Sequence, residues 1–372
     1  MALLNIGVVG TSLKENEKRV AIHPAHIRWI PAEIRKHLFF ENGYGLQFDI
    51  EDSTIRSLTG GIKTREEILN ESDIVLIPKS VQTDFESIKE NTTIWGWVHC
   101  VQQQGHTQAS VDKKLTLIAW ENMFIWGSKG ERGIHIFHKN NEIAGYSGVV
   151  HALSLIGRTA SYGPPRKVIV FSFGSVSRGA IHALQGLGFK NIQVFTLRPP
   201  RLVAHQIPGI IYRQLKRTEN GLVIINVDGS TQSLCEELSA ADIIVNGTLQ
   251  NTDNPLMYIN KNEIDKLKPK SIIIDVSCDK GMGFPFARPT TFEDPMFKTG
   301  EDIHYYSVDH TPSYLWDSAS WEISKSLIPY LSVVMQGYEK WQEDKTIKFA
   351  IDIDSGIIKN EKILSFQKRS SG

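Results

Sequence analysis

Short apolar runs recur along this chain, separated by polar stretches in which apolar residues return at helical spacing. That alternation predicts βαβ units and parallel sheets. In the N-terminal block, residues 4–9, 73–77, 93–98 and 115–119 read as strands. Residues 24–37 carry helical character, with Pro24 suited to a first turn, and another helix is expected to start near Thr64. This block has the pattern of a nucleotide-fold sheet without a glycine fingerprint. Residues 141–156, rich in small side chains, predict a helix, and 157–167 a loop. A second block offers strands at 168–171, 192–196, 223–226, 243–246 and 272–276. Residues 318–340 read as one long helical stretch and the polar tail 345–372 as frayed. The expected fold is α/β, with two Rossmann-like domains of parallel sheet linked by long helices. Residues 1–140 and 325–372 form the expected substrate domain and 141–324 the nucleotide-binding one. Ligands of such folds lie at the carboxyl ends of strands, so a cleft between the domains is the expected site.

Composition narrows the functional classes. The 372 residues suffice for two domains. Lysine plus arginine equals aspartate plus glutamate at 41 each, so no net field draws the chain to nucleic acid or a membrane surface. Cys100, Cys235 and Cys278 offer neither a disulfide framework nor a metal-binding spacing. No apolar run reaches bilayer-spanning length, and the N-terminus reads as a first strand rather than a signal peptide. These features predict a cytoplasmic protein with small-molecule partners and no metal.

Candidate chemistry gathers at the ends of the apolar runs. Val168-Ile-Val-Phe-Ser-Phe-Gly174-Ser-Val-Ser177-Arg-Gly179-Ala180 sets small residues between a strand and a helix. A dinucleotide turn needs a tight corner, close backbone approach to the pyrophosphate and close helix-on-strand packing. Gly174 meets the second need and Ser177 the third, with Ser172 at the first glycine position; an ordinary strand-to-helix corner is the alternative. Gly174, Ser175, Val176 and Ser177 form the candidate turn. The next strand ends where NAD sites carry an acidic ribose ligand, but Thr196, Arg198 and Arg201 stand there. Arginine suits a 2′-phosphate, which points to NADPH, unless these are ordinary surface arginines.

In the first block Arg19, Lys79 and His99 each follow a strand. Each alone is compatible with a structural role. Together they fit a keto-acid site, where cations hold a carboxylate and a group titrating near neutrality handles the carbonyl or imine proton. Asp279 follows the strand 272–276, where it would face a nicotinamide; a turn aspartate is the alternative. Asp309 and His310 share a polar loop before the long helical stretch.

Glu15-Asn-Glu-Lys-Arg19-Val-Ala-Ile, Lys79, His99, Glu142-Ile-Ala-Gly145, Asp275-Val-Ser-Cys-Asp279 and Arg288-Pro-Thr-Thr-Phe-Glu-Asp-Pro295 occur in that order. Over nearly the whole chain the set resembles the alanine dehydrogenase and transhydrogenase family, relatives of the saccharopine dehydrogenases. Gly174 to Ala180 and the loop Asp309-His-Thr-Pro-Ser313 are most similar to its opine-forming branch, the N5-(carboxyethyl)ornithine synthases. The resemblance implies an oxidoreductase acting on CH–NH bonds with NADPH. It would join a 2-keto acid, pyruvate, to the side-chain amine of ornithine or lysine. The resemblance further implies Arg19 and Lys79 as carboxylate ligands, His99 as acid and base assisted by Lys79, Asp279 near the nicotinamide, and Gly174 to Gly179 as the pyrophosphate turn. Glu121 and Asp309 complete the substrate-binding set. Alanine dehydrogenases carry an amide at the position of Asp309, and a carboxylate there suits a diamino acid's ammonium. The alternatives are an alanine dehydrogenase, a saccharopine dehydrogenase-type enzyme and a non-catalytic NADP-binding regulatory module. The family also implies a homo-oligomer.

Overall fold

The N-terminal apolar runs become the parallel strands β1 (Ile6–Val8), β2 (Leu38–Glu41), β3 (Gly61–Lys63), β4 (Ile74–Lys79), β5 (Thr93–Trp97) and β6 (Thr116–Ala119) in a computed structural model that describes residues 3–219 and 221–370. Their order is β3-β2-β1-β4-β5-β6. This is the doubly wound order, with its reversal between β1 and β4. A hairpin of β7 (Phe124–Trp126) and β8 (Arg132–His135) follows, then the helix His138–Leu155.

The middle of the chain builds β9 (Lys167–Phe171), β10 (Asn191–Thr196), β11 (Ile211–Thr218), β12 (Gly221–Ile225), β13 (Thr231–Ser233), β14 (Ile243–Asn246), β15 (Ile272–Asp275), β16 (Met296–Thr299) and β17 (Ile303–Tyr306). The parallel strands run β11-β10-β9-β14-β15-β17, the same topology again, with β12, β13 and β16 as antiparallel additions. The chain then returns to the first sheet, where β18 (Ile351–Asp354) pairs antiparallel with β6 and β19 (Ile357–Ile358) closes that edge. Residues 1–138 with 316–372 form one compact unit, and 139–315 the other.

Both sheets are covered on both faces, which is why their strands read as unbroken apolar runs. Val8, Phe40, Leu76 and Trp95 fill one side of the first sheet, and Val75, Ile77, Ile94 and Leu117 the other. Val168, Val170, Ile243 and Val245 oppose Ile169, Phe171, Ile244 and Ile273 in the second.

Three elements depart from the sequence reading. Residues 24–37 do not form one helix: Pro24–Trp29 is a 3-10 helix and Ala32–Arg35 a short α-helix. Pro31 separates them and holds Ile30 in an extended conformation. The long helical stretch is divided into Trp316–Leu327, Leu331–Met335 and Tyr338–Glu343, with Pro329 in one break and Gly337 at φ 83° in the other. The tail does not fray through residue 370; residues 371 and 372 lie outside the described residues. Ile351, Ile353 and Ile363 are buried, and β18 and the helix Glu361–Gln367 belong to the first unit. The alternation Ile351-Asp-Ile-Asp354 is a strand signal that the polar composition around it obscured. Thr64 does cap a helix: its side chain accepts from Glu67 N, and Glu67 Oε2 accepts from Thr64 N at 2.7 Å. No helix among the described residues is long and apolar enough to cross a membrane.

Candidate active site and nucleotide turn

The carboxyl ends of β4, β5 and β6 carry Lys79, His99 and Glu121. Lys79 closes β4 just after Pro78, where the register against β5 shifts. Gly96 makes room for this: a Cβ there would lie 1.9 Å from Ile77 O. His99 follows β5 in the left-handed region at φ 49°, and Glu121 lies in the 3-10 turn Trp120–Asn122. Lys79 Nζ stands 2.8 Å from His99 Nε2. Glu121 Oε1 accepts the His99 backbone N–H at 2.8 Å and lies 3.3 Å from Nδ1. With the ammonium donating, Nε2 accepts and the ring hydrogen belongs on Nδ1, facing Glu121. Burial, and then the charge of Asp352, push the Glu121 carboxyl up to about 7.

Arg19 is buried in the same unit, its guanidinium over the Trp97 ring at 4.8 Å. Its fork is directed at Glu17, with Nε 2.8 Å from Oε1 and Nη2 2.5 Å from Oε2. The bidentate edge expected to grip a substrate carboxylate therefore holds an internal one. Sequence reasoning missed Glu17 in this role, although it sits two residues away. It also missed Glu41, which ends β2 where a nucleotide fold carries its ribose ligand. Glu41 accepts from Gly10 N at 2.7 Å and Thr11 N at 2.9 Å, so the turn after β1 is closed on its own acid. The signal was present in Val8-Val9-Gly10-Thr11-Ser12 after the first strand.

In the second unit Ser172 takes φ 72°, the conformation a first glycine would supply. Gly174 caps the helix Ser175–Gly186, and a Cβ on it would meet nothing nearer than Ser172 Oγ at 3.9 Å, so the space before the turn is open. Ser177 is buried and donates to Phe171 O at 2.9 Å. A Cβ on Gly247, past β14, would lie 2.5 Å from Ser177 Oγ. Farther along, a Cβ on Gly179 would come 1.7 Å from Glu142 O, and one on Gly145 1.8 Å from Val176 O. The helix start is thus pressed between the end of β14 and the helix His138–Leu155. An open approach before N-terminal amides, backed by close packing, fits a pyrophosphate. Thr196 ends β10, and its Oγ1 accepts from Arg198 N at 3.3 Å. Arg198 and Arg201 are exposed beyond it, and no acidic side chain ends this strand. Arg178 lies over Phe173 at 3.9 Å and donates to the carbonyls of Ala204 and His205, pinning the loop after β10.

Asp275, at the end of β15, holds the Tyr305 hydroxyl and Asn246 Nδ2, and burial pushes its carboxyl up to about 6. Asp279 follows in the next loop and is raised to about 6 by burial. Asp309 Oδ1 lies 2.6 Å from Nδ1 of the buried His310, whose ring packs edge-on against Phe292. The structure thus joins Lys79, His99 and Glu121 in one chain with Arg19 in the same unit. It assembles Gly174 to Ser177 with Thr196 in the other unit, on the loops of β9 and β10, and places Asp279 and Asp309 on the loops after β15 and β17.

Family models for the alanine dehydrogenase/PNT N-terminal and C-terminal domains match residues 8–144 and 154–361. An N(5)-(carboxyethyl)ornithine synthase of Clostridium botulinum is 26% identical over 91% of this chain and 94% of its own. One from Lactococcus lactis is 26% identical over 87% and 94%. An alanine dehydrogenase of Mycolicibacterium smegmatis is 24% identical over 87% and 85%. Among solved structures, an L-alanine dehydrogenase superposes with a TM-score of 0.76 at 16% identity, covering 98% of this chain and 99% of that one. A transhydrogenase from Sinorhizobium meliloti does so with 0.70 at 18%, covering 95% and 99%. These two likenesses establish the two-domain Rossmann-like fold.

Proposed function

The chain belongs to the alanine dehydrogenase/PNT family of nicotinamide-linked, amino-acid oxidoreductases, and from that premise we propose that it reductively condenses a 2-keto acid, pyruvate, with the side-chain amine of ornithine or lysine, using NADPH. The observation that carries the reading is the unbroken contact from Lys79 Nζ through the His99 ring to Glu121. It gives one imidazole a cation on one nitrogen and a carboxyl group on the other, a setting built to move a proton at Nε2.

On this reading Arg19 and Lys79 hold the keto-acid carboxylate, and Asp309 holds the ammonium of the diamino acid. Gly174, Ser175, Val176 and Ser177 bind the pyrophosphate; Thr196, Arg198 and Arg201 receive the 2′-phosphate, with Asp279 near the nicotinamide. The cofactor, when bound, supplies a hydride. The chain's own work is to bring the amine to the ketone carbon and to pass protons. His99 takes the proton the attacking amine loses and returns it to the departing water, with Lys79 beside Nε2, which leaves the imine to be reduced. Glu121 keeps the ring at the angle this exchange requires.

The test is NADPH consumption with pyruvate and ornithine, lysine or ammonia, run in parallel with NADH. The reading expects a diamino acid and NADPH to be the fastest pair. Ammonia with NADH as the fastest pair would convert it to an alanine dehydrogenase. Replacing His99 by Ala should lower kcat by about 10²–10⁴-fold and leave NADPH binding, followed by its fluorescence, unchanged. Full turnover in that variant removes His99 from the mechanism.

A further inference from the structure

A second carboxyl group stands behind the Lys79–His99–Glu121 chain, carried in by the C-terminal segment. Glu121 commits Oε1 to His99, but its Oε2 is sealed from solvent and has no hydrogen-bond partner among the described residues. A charged oxygen in that state bears a desolvation cost with nothing to offset it, and a protonated one does not. Asp352 is supplied differently. It is buried at 4% exposure, and its Oδ1 accepts from Asn122 Nδ2 at 2.7 Å and Asn360 Nδ2 at 2.9 Å. It sits where β18 slips register against β6, between Ile351 and Ile353. Asp352 is buried and Glu121 is half-buried with one oxygen sealed, and two such carboxyl groups that feel each other do not both ionise readily. The one with amide donors keeps the charge, and the one with the orphaned oxygen keeps the proton.

We propose that Asp352 is a positioning residue for His99 that acts through Glu121: its charge holds a proton on Glu121 Oε2, so Glu121 meets His99 as the oxygen of a neutral acid. An ionised Glu121 would stabilise the imidazolium and make His99 a reluctant proton donor. A neutral Glu121 fixes the ring without that bias.

The electrostatics of the surroundings run the same way. Burial first and Asp352 second raise Glu121 to about 7, while its own backbone N–H, then the His99 N–H and the charge of Lys79, pull it down. Burial raises Asp352 to about 6 against the amides of Asn360 and Asn122 and the charge of Lys362. Cys100 is held as a thiol by burial and then by the charge of Asp352. His135, which bonds to Trp120 O beside Glu121, is pushed by burial down to about 4 and stays neutral. The inference concerns how the His99 proton is set and does not depend on which amine is the substrate.

Infrared difference spectroscopy tests it on the whole protein without substrate. The wild type between pH 6 and 7, above the Asp352 value of about 6 and below the Glu121 value of about 7, should show a protonated carboxyl band that Glu121→Gln removes. Absence of that band in the wild type overturns the proposal outright. Asp352→Asn keeps an oxygen for Asn122 and Asn360 and removes the charge. In that variant the band should survive only at lower pH, and the His99 ring, followed by NMR, should titrate about one unit higher. An unmoved band together with an unmoved His99 titration in the folded variant also overturns it. Failure of the pyruvate and ornithine assay alone would touch the proposed reaction and leave these spectra to stand.

Discussion

Gly96 shows how far a single methyl group can reach into the site. It lies in β5 opposite Ile77, beside the point where Pro78 interrupts the β4 ladder. A Cβ there would sit 1.9 Å from Ile77 O, so β5 must move away from β4 if alanine is installed. The strand ends that move carry Lys79 and His99. We expect Gly96→Ala to cost about 1–3 kcal/mol, read from urea denaturation, and to lower kcat in the fraction that remains folded. A folded variant with full kcat would show that the strand spacing does not set the Lys79–His99 contact. Glu121 supplies a pH test at the same scale. Its value rises from 4.5 in the unfolded chain to about 7 in the fold, so stability is fully present below 4.5 and is lost as pH rises through 7. Glu121→Gln lacks this loss. Its melting temperature should gain on the wild type from pH 5 to pH 8 and match it near pH 4. A difference that stays constant across that range would mean Glu121 is already ionised at low pH.

At the scale of elements, the candidate nucleotide turn depends on the helix behind it. The helices His138–Leu155 and Ser175–Gly186 approach until a Cβ on Gly179 would lie 1.7 Å from Glu142 O. On the proposed reading, Gly179→Ala should push them apart, tilt the amides of Ser175 to Ser177 and weaken binding of the nicotinamide cofactor at least tenfold, measured by titration with NADPH and NADH. Gly186→Ala is the control. It ends the same helix with open space around it, so it should leave binding unchanged. Equal effects of the two would deny the crossing a role. This contact was half legible in the chain. The small residues of 141–156 marked a helix, and Gly174 and Ser177 marked the turn, because strand, turn and helix each leave a local pattern. Which backbone the small residues admit is a tertiary fact with no local signature. The same limit hid Glu17, whose fork with Arg19 depends on a loop conformation, and Ser172, whose positive φ is a glycine's geometry on a non-glycine residue. The tail was misread for a different reason: four alternating residues of strand were outvoted by the polar residues around them.

The whole molecule repeats one topology in two units with different fates. In the second, the turn after the first strand is open; in the first, Glu41 holds the corresponding amides of Gly10 and Thr11. The first unit therefore keeps the nucleotide fold's strand order while Lys79, His99 and Glu121 gather at the ends of β4, β5 and β6. The units also differ in continuity. Residues 139–315 form the second without interruption, whereas the first is completed only by 316–372. Within that segment Ile347, Ile351, Ile353 and Ile363 are buried, and each contributes about 1.5–3 kcal/mol of apolar burial. Truncation after Asp344 removes them and bares the β6 edge beneath Glu121. In such a chain, hydrogen exchange should rise across β4, β5 and β6 and remain slow across β9, β14 and β15. The isolated segment 139–315 should fold cooperatively and, on the proposed reading, bind the nicotinamide cofactor. Equal loss of protection in both sheets, or a 139–315 fragment without a cooperative melt, would show that the second core cannot hold its nucleotide turn alone.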